Sequence, residues 1–246
     1  PAFEVGAVSP ATVVKDLPFS YTDGKFPLND TRSYQISTTV LNGVTASINT
    51  TAVHVLDMIG VEYSFDFAKN KFGLNGLLKS EWLSNGKELS DVGYSPLALG
   101  AMPYGVTVRD MAGAYATFAN NGVWRSGRTW TKVYDRKGNV VLTNEQDSRE
   151  ILSKKAVNYT NYCLTNAVMK GTGTRANFAS GYVAGKTGTT SSARDKWFCG
   201  YTKHYTAAVW CGFDWPEKIN LSYNPAAQLW KDVMKPIHSG LSNVRL

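Results

Sequence analysis

The sequence predicts an α+β fold in which an antiparallel sheet packs against helices. Three observations carry this. The clear helical segments come first, within the first 171 residues. Three consecutive strand-like runs follow, at 181–190, 196–202 and 205–213, with short connections. A terminal helix opens at Asn224-Pro225. Sequential strands with short links pair antiparallel, whereas βαβ units would place helices between them. The 246 residues are 43% hydrophobic and 18% charged, enough for one core, or one core with a small satellite. That composition excludes disorder over most of the length.

Residues 1–45 mix short apolar runs with turn residues, as in Pro18 to Gly24, and predict loops and short extended pieces. In 50–59, Val53, Leu56 and Ile59 share one helical face and Gly60 suits a C-terminal cap. His54 on that helix is read as a surface or packed side chain. Residues 62–104, with Gly73, Gly76, Gly86 and Gly93, read as irregular. Thr107 caps the next helix, with Asp110 completing a T-x-x-D box. Met111, Tyr115, Phe118 and Ala119 form its apolar stripe, and Asn121-Gly122 stops it. Residues 123–142 predict a β-hairpin turning at Lys137-Gly138-Asn139. Ser153 opens a helix that runs to Gly171. The last helix, through Leu229, Trp230 and Met234, has Asn as cap and Pro at its first position. No internal repeat or linker divides the chain, so 1–246 is one unit.

The formal net charge of +7 would suit an acidic partner such as nucleic acid, anionic lipid or an anionic polymer. The charges are scattered, however, with no run of five or more Lys/Arg. A solvated basic surface is the preferred reading, and no nucleic-acid partner is expected. Cys163, Cys199 and Cys211 form no CxxC pair, so no zinc site is expected. Cys199 and Cys211 lie in consecutive strands, which allows a cross-strand disulfide; buried free thiols are the preferred reading. No stretch reaches the ~18 apolar residues that a membrane-spanning helix requires.

Gly185-Lys186-Thr187-Gly188-Thr189-Thr190 is the sharpest chemical feature. An exposed strand edge can pair with an extended peptide. Gly188 lets a substrate approach the backbone. Lys186 supplies a fixed positive charge, while Thr187 and Thr189 offer hydroxyls to a carboxylate. The Thr189 N–H can serve as an oxyanion donor, and Thr190 completes the substrate-facing set. A phosphate-binding loop fails because Ser180 holds the position of its first glycine, and Gly188 follows where a helix should start. The bland reading is a Gly/Thr-rich strand with an exposed lysine. A second feature is Ser47-Ile48-Asn49, just ahead of the helix at 50–59. There a hydroxyl can relay a proton and an amide can hold a substrate carbonyl. Alone it is weak, since Ser222-Tyr223-Asn224 repeats the pattern as a turn and helix cap.

In this order, S-x-N then K-T-G, the two features resemble part of the signature set of penicillin-binding proteins and class A β-lactamases. The wider context resembles class A penicillin-binding proteins, the bifunctional peptidoglycan synthases. The resemblance runs through Ala46 to Val53, Gly105 to Gly122, Gly171-Thr172-Gly173-Thr174-Arg175-Ala176, Ala184 to Thr190, Arg194 to Phe198 and Gly200-Tyr201-Thr202. It covers nearly the whole chain. It implies a penicillin-binding/serine β-lactamase-like transpeptidase fold with its N-terminal part missing. The family's first motif, Ser-x-x-Lys, is matched in spacing only by Ser84-Asn85-Gly86-Lys87, in a loop and in the wrong order. The nucleophilic serine and its lysine are therefore expected upstream of Pro1.

By the same resemblance, that serine attacks the D-Ala-D-Ala bond of a peptidoglycan stem peptide and forms an acyl-enzyme. Ser47 would pass a proton to the leaving D-alanine. Asn49 would hold the substrate amide and the absent lysine. Lys186 would keep the site positive and attract the terminal carboxylate, with Thr187 and Thr189 as its partners. Stem peptides and β-lactams are the implied partners, with no cofactor or metal. The parent is expected to be membrane-anchored, to carry a glycosyltransferase domain, and to work on the outer face of the cytoplasmic membrane. A carboxypeptidase or β-lactamase of the same fold, or a non-catalytic wall-binding module, is the rival.

Overall fold

The computed structural model describes residues 1–18, 28–29 and 33–246. The turn expected over 18–24 lies, beyond Pro18, outside the described residues. In chain order the elements begin with β1 (Val13–Asp16) and β2 (Ile36–Thr39), an antiparallel pair with Val13 opposite Thr39. Helices α1 (Val40–Ala46), α2 (Asn49–Asp57) and α3 (Val61–Asp66) follow, the last continuing into a π-helical turn over Phe67–Lys71. A small hairpin, β3 (Glu81–Trp82) with β4 (Glu88–Leu89), precedes α4 (Tyr94–Leu99) and α5 (Val108–Ala119). The short extended pieces expected over 1–45 are β1 and β2, whereas α1 was missed there, and the irregular chain expected over 62–104 is corrected. The missed helices are six or seven residues long, below the length at which periodicity shows. Tertiary burial makes them: Phe65, Leu74, Leu77 and Ala114 form one cluster. Ser84 and Lys87 sit at the exposed β3–β4 turn, where the Leu83 N–H donates to the Lys87 carbonyl.

The single hairpin expected over 123–142 is also corrected. Strand β5 (Val123–Arg125) pairs with β8 (Ser148–Glu150), and between them β6 (Lys132–Tyr134) pairs with β7 (Val140–Thr143). The turn residues were read correctly, since Asp135 Oδ1 accepts from the Lys137 and Asn139 N–H groups. Helix α6 (Lys154–Lys170) starts where Ser153 Oγ accepts from the Ala156 N–H, and α5 where Thr107 Oγ1 accepts from the Asp110 N–H.

Strands β9 (Ala184–Thr189), β10 (Lys196–Tyr201) and β11 (Thr206–Cys211) form an antiparallel sheet in the order β11-β10-β9. Lys186 lies opposite Cys199, and Phe198 opposite Val209. Alternation sends Phe198, Ala207 and Val209 to one face, against Trp230 and Met234 of α7 (Pro225–Ile237). Ala184 and Tyr201 face the other way, against Leu164 of α6 and Tyr115 and Phe118 of α5. The buried polar tips are satisfied: Trp230 Nε1 donates to the Ala207 carbonyl at 3.0 Å, and Tyr201 Oη to Asn161 Oδ1 at 2.7 Å. Cys199 stands opposite Ala208 and Cys211 opposite Lys196, so the two cysteines are not cross-strand neighbours. All three cysteines are free. Burial pushes the Cys163 and Cys199 thiols up to about 12, so both are protonated and inert.

Candidate active site

The S-x-N segment is the corner between α1 and α2. Thr39 Oγ1 caps α1 by accepting from the Asn42 N–H. At the other end Ser47 adopts the left-handed region, φ 58 and ψ 50, and the Ile48 N–H returns to the Gly43 carbonyl. Such a conformation costs a non-glycine residue about 1–2 kcal/mol. Here it ends α1 and lets α2 begin two residues later. Beneath the corner, Asp16 at the end of β1 is 1% exposed and accepts from Thr50 Oγ1 at 2.6 Å, Asn29 Nδ2 at 2.8 Å and the Gln35 N–H at 2.9 Å. Burial acts to raise this carboxyl's pKa, but the three hydrogen bonds outweigh it and hold it below the ordinary carboxylate value.

Across the cleft, β9 is an edge strand of its sheet. The Thr190 N–H donates to the Asp195 carbonyl at 3.2 Å, which makes residues 190 and 195 a hydrogen-bonded pair. In an antiparallel ladder such pairs alternate, so Thr187 and Thr189 turn their N–H and C=O groups away from β10, toward the open edge. Lys186 Nζ meets this edge at the Thr187 carbonyl, 3.1 Å away. A second contact joins the two predicted motifs: Lys186 Nζ donates to Ser47 Oγ at 2.7 Å, across 139 residues of sequence.

Two glycines permit the approach. A Cβ on Gly171 would lie 2.1 Å from the Thr45 carbonyl oxygen, so only glycine lets the end of α6 close on α1. A Cβ on Gly185 would strike the Phe198 ring at 2.5 Å. At Gly188 a Cβ would meet Trp197 at 3.1 Å, so the space there is shared with the neighbouring strand.

Ser47, Asn49, Lys186, Thr187, Gly188, Thr189 and Thr190 all line one cleft of about 1470 Å³. Asn49 opens α2 and donates from Nδ2 to the Leu28 carbonyl at 2.6 Å. Thr190 bonds to Asp195 rather than facing the cleft alone. His54 reaches the Leu17 carbonyl at 3.2 Å and is not among the residues that line the cleft. The Ser222-Tyr223-Asn224 copy is a helix start, with Asn224 Oδ1 accepting from the Ala227 N–H. Sequence reasoning missed Thr172, whose Oγ1 accepts from Thr187 Oγ1 at 2.8 Å and whose N–H donates to the Thr45 carbonyl. Its flanking glycines, Gly171 and Gly173, were the available signal. The arrangement offers an ammonium, three hydroxyls and outward backbone donors to an anionic, extended ligand.

Comparison with known proteins identifies the family. Residues 1–235 match the family described as penicillin binding protein transpeptidase domain. Penicillin-binding protein 1A of Clostridium acetobutylicum is 34% identical over 257 residues, covering 100% of this chain and 30% of that protein. Its namesake in Clostridium botulinum is 36% identical over 217 residues, covering 87% of this chain and 25% of that protein. The crystal structure of penicillin-binding protein 1A from Haemophilus influenzae shares the fold at a TM-score of 0.82 and 20% identity, over 100% of this chain and 41% of that one. The chain thus spans about a third or less of the length of these curated relatives. Corner, strand edge and family match together lead to one assignment: the chain belongs to the penicillin-binding protein transpeptidase domain family.

Proposed function

We propose that this chain is the substrate-binding part of a serine D,D-transpeptidase that cross-links peptidoglycan stem peptides and is acylated by β-lactams. The contact between Lys186 Nζ and Ser47 Oγ carries the reading. An ammonium that donates to Ser47 Oγ leaves the Ser47 hydroxyl proton free to be given to a leaving nitrogen. Lys186, Thr187 and Thr172 draw the terminal carboxylate of the stem, and the outward Thr189 N–H receives the oxyanion. Asn49 holds the substrate amide.

The nucleophile belongs, in this reading, to a Ser-x-x-Lys segment outside the given sequence. The cleft supports it. At about 1470 Å³ it exceeds an ordinary small-ligand pocket, and Val40, Val44, Val55, Phe118 and Leu164 give it an apolar floor that a packed helix would cover. The incoming serine bonds to the carbonyl carbon of the penultimate D-alanine, and the amide bond breaks. Terminal D-alanine leaves with the proton from Ser47, which regains one from the incoming serine through the lysine of that serine's own segment. An amine of a second stem then displaces the serine and forms the cross-link, the proton it sheds returning to the serine oxygen. Among the described residues no helix is long and apolar enough to cross a membrane. The membrane anchor, the glycosyltransferase domain and the extracytoplasmic location are assigned to the whole protein.

The test is covalent labelling with fluorescent penicillin. The full-length protein should label, K186A should reduce its labelling rate by at least about 100-fold, and the 246-residue chain should not label. Labelling of the 246-residue chain itself would place the nucleophile within it and overturn the division of the site.

A further inference from the structure

The connection from Thr190 to Asp195 is strained: Ser192 and Ala193, neither of them glycine, have φ of 62 and 53. Two backbone bonds close it, from the Thr190 N–H to the Asp195 carbonyl and from the Ala193 N–H to the Thr190 carbonyl, and one carboxylate adds to them. Asp195 Oδ2 accepts from Thr190 Oγ1 at 2.8 Å, and the Asp195 N–H donates back to Thr190 Oγ1 at 2.9 Å. Asp195 Oδ1 accepts from Trp210 Nε1 at 2.8 Å. Trp210 lies on β11, opposite Trp197 of β10. The Ala193 carbonyl is held in turn by the Ile219 N–H at 2.9 Å. One side chain therefore ties the end of β9 to the far strand of the sheet. Thr189, directly before this knot, is the last residue of β9 and points its N–H at the cleft.

We infer that Asp195, braced by Trp210, is a positioning residue that fixes the end of β9 so that the Thr189 N–H stays aimed at the developing oxyanion. The inference rests on the oxyanion role proposed for Thr189. Trp210 is not among the residues that line the cleft, and Asp195, which is, spends its two carboxylate oxygens on Thr190 and Trp210. Their effect is on where a donor sits, and a shift of about 1 Å in such a group costs on the order of 100-fold in rate.

The experiment uses the full-length protein and its D195A, D195N and W210F variants. Stopped-flow acylation by penicillin separates the rate at saturation from the dissociation constant of the non-covalent complex. Hydrogen exchange over residues 184–195 is followed in the same samples. The expected result is an acylation rate about 10- to 100-fold lower in D195A, with the dissociation constant nearly unchanged and faster exchange at 184–195. D195N keeps an acceptor for only one of its two donors and should fall between; W210F should show the smaller loss. A D195A or D195N rate equal to wild type, or a loss confined to the dissociation constant, overturns the proposal. Should D195A fail to fold, D195N and W210F decide by the same criteria. Should the wild type itself resist acylation, the transpeptidase reading fails, and unchanged exchange at 184–195 in D195N would overturn the positioning role independently.

Discussion

At the scale of single residues, the site depends on conformations as much as on functional groups. Ser47 is held at φ 58 and exposes its hydroxyl to Lys186. Replacing it separates backbone from chemistry. S47A and S47G both remove the hydroxyl proposed to relay the proton, so both should lose penicillin labelling in the full-length protein. Glycine occupies the left-handed region without a Cβ penalty, so S47G should be about 1 kcal/mol more stable than S47A by urea unfolding. Equal stabilities would contradict the strained corner. Ser47 and Lys186 are legible in the sequence as chemistry-bearing residues, because S-x-N and K-T-G are local strings. The left-handed turn at Ser47 is not, since serine has no intrinsic preference for it and the Thr45–Gly171 contact imposes the corner from outside.

At the scale of elements, a buried carboxylate joins the start of α2 to β1. Asp16 receives Thr50, Asn29 and the Gln35 N–H, and these bonds outweigh burial to depress its pKa. A carboxylate with a depressed folded pKa stabilises the native state above its unfolded pKa of about 3.9, and that stability fades as pH falls through the folded value. D16N should therefore cost about 2 kcal/mol at neutral pH. The gap to wild type should stay level down to about pH 5 and narrow below about pH 3.9. Urea midpoints measured across this range check it, and a gap that widens on acidification would reverse the sign of the argument. Elements with their own caps were readable: Thr107, Ser153 and Asn224 each accept the hydrogen bond their sequence position predicts. Helix α1 was not, because Val40, Gly43, Val44 and Thr45 are poor helix formers, and burial of Val40 and Gly43 overrides that preference. The β5–β8 pairing was hidden for a related reason, its partners being separated by the whole β6–β7 hairpin.

At the scale of the molecule, the three-stranded sheet is held between α7 on one face and α5 and α6 on the other. Trp230 is fully buried, with its ring 5.1 Å from that of Phe198 and its Nε1 on the Ala207 carbonyl. W230F would leave a void and an unpaired carbonyl, and should lower stability by about 1–3 kcal/mol, read as a lower urea midpoint. Because the Phe198 face supports β9 from below, the loss should act on the whole sheet and leave no stable sheet-free intermediate; a two-step unfolding curve would argue otherwise.

The sequence by itself determined the fold class, the capped helices, the three consecutive strands and the chemical character of Ser47, Asn49 and Lys186 to Thr190. These follow from hydrogen bonds and periodicities that close within a few residues. Only the tertiary structure decided that Lys186 reaches Ser47, that Thr172 faces Thr187, and that Asp195 and Trp210 lock the end of β9. Each of those contacts joins separate elements, the first across 139 residues. The energy that closes such loops comes from packing the intervening helices and strands, not from the residues that meet.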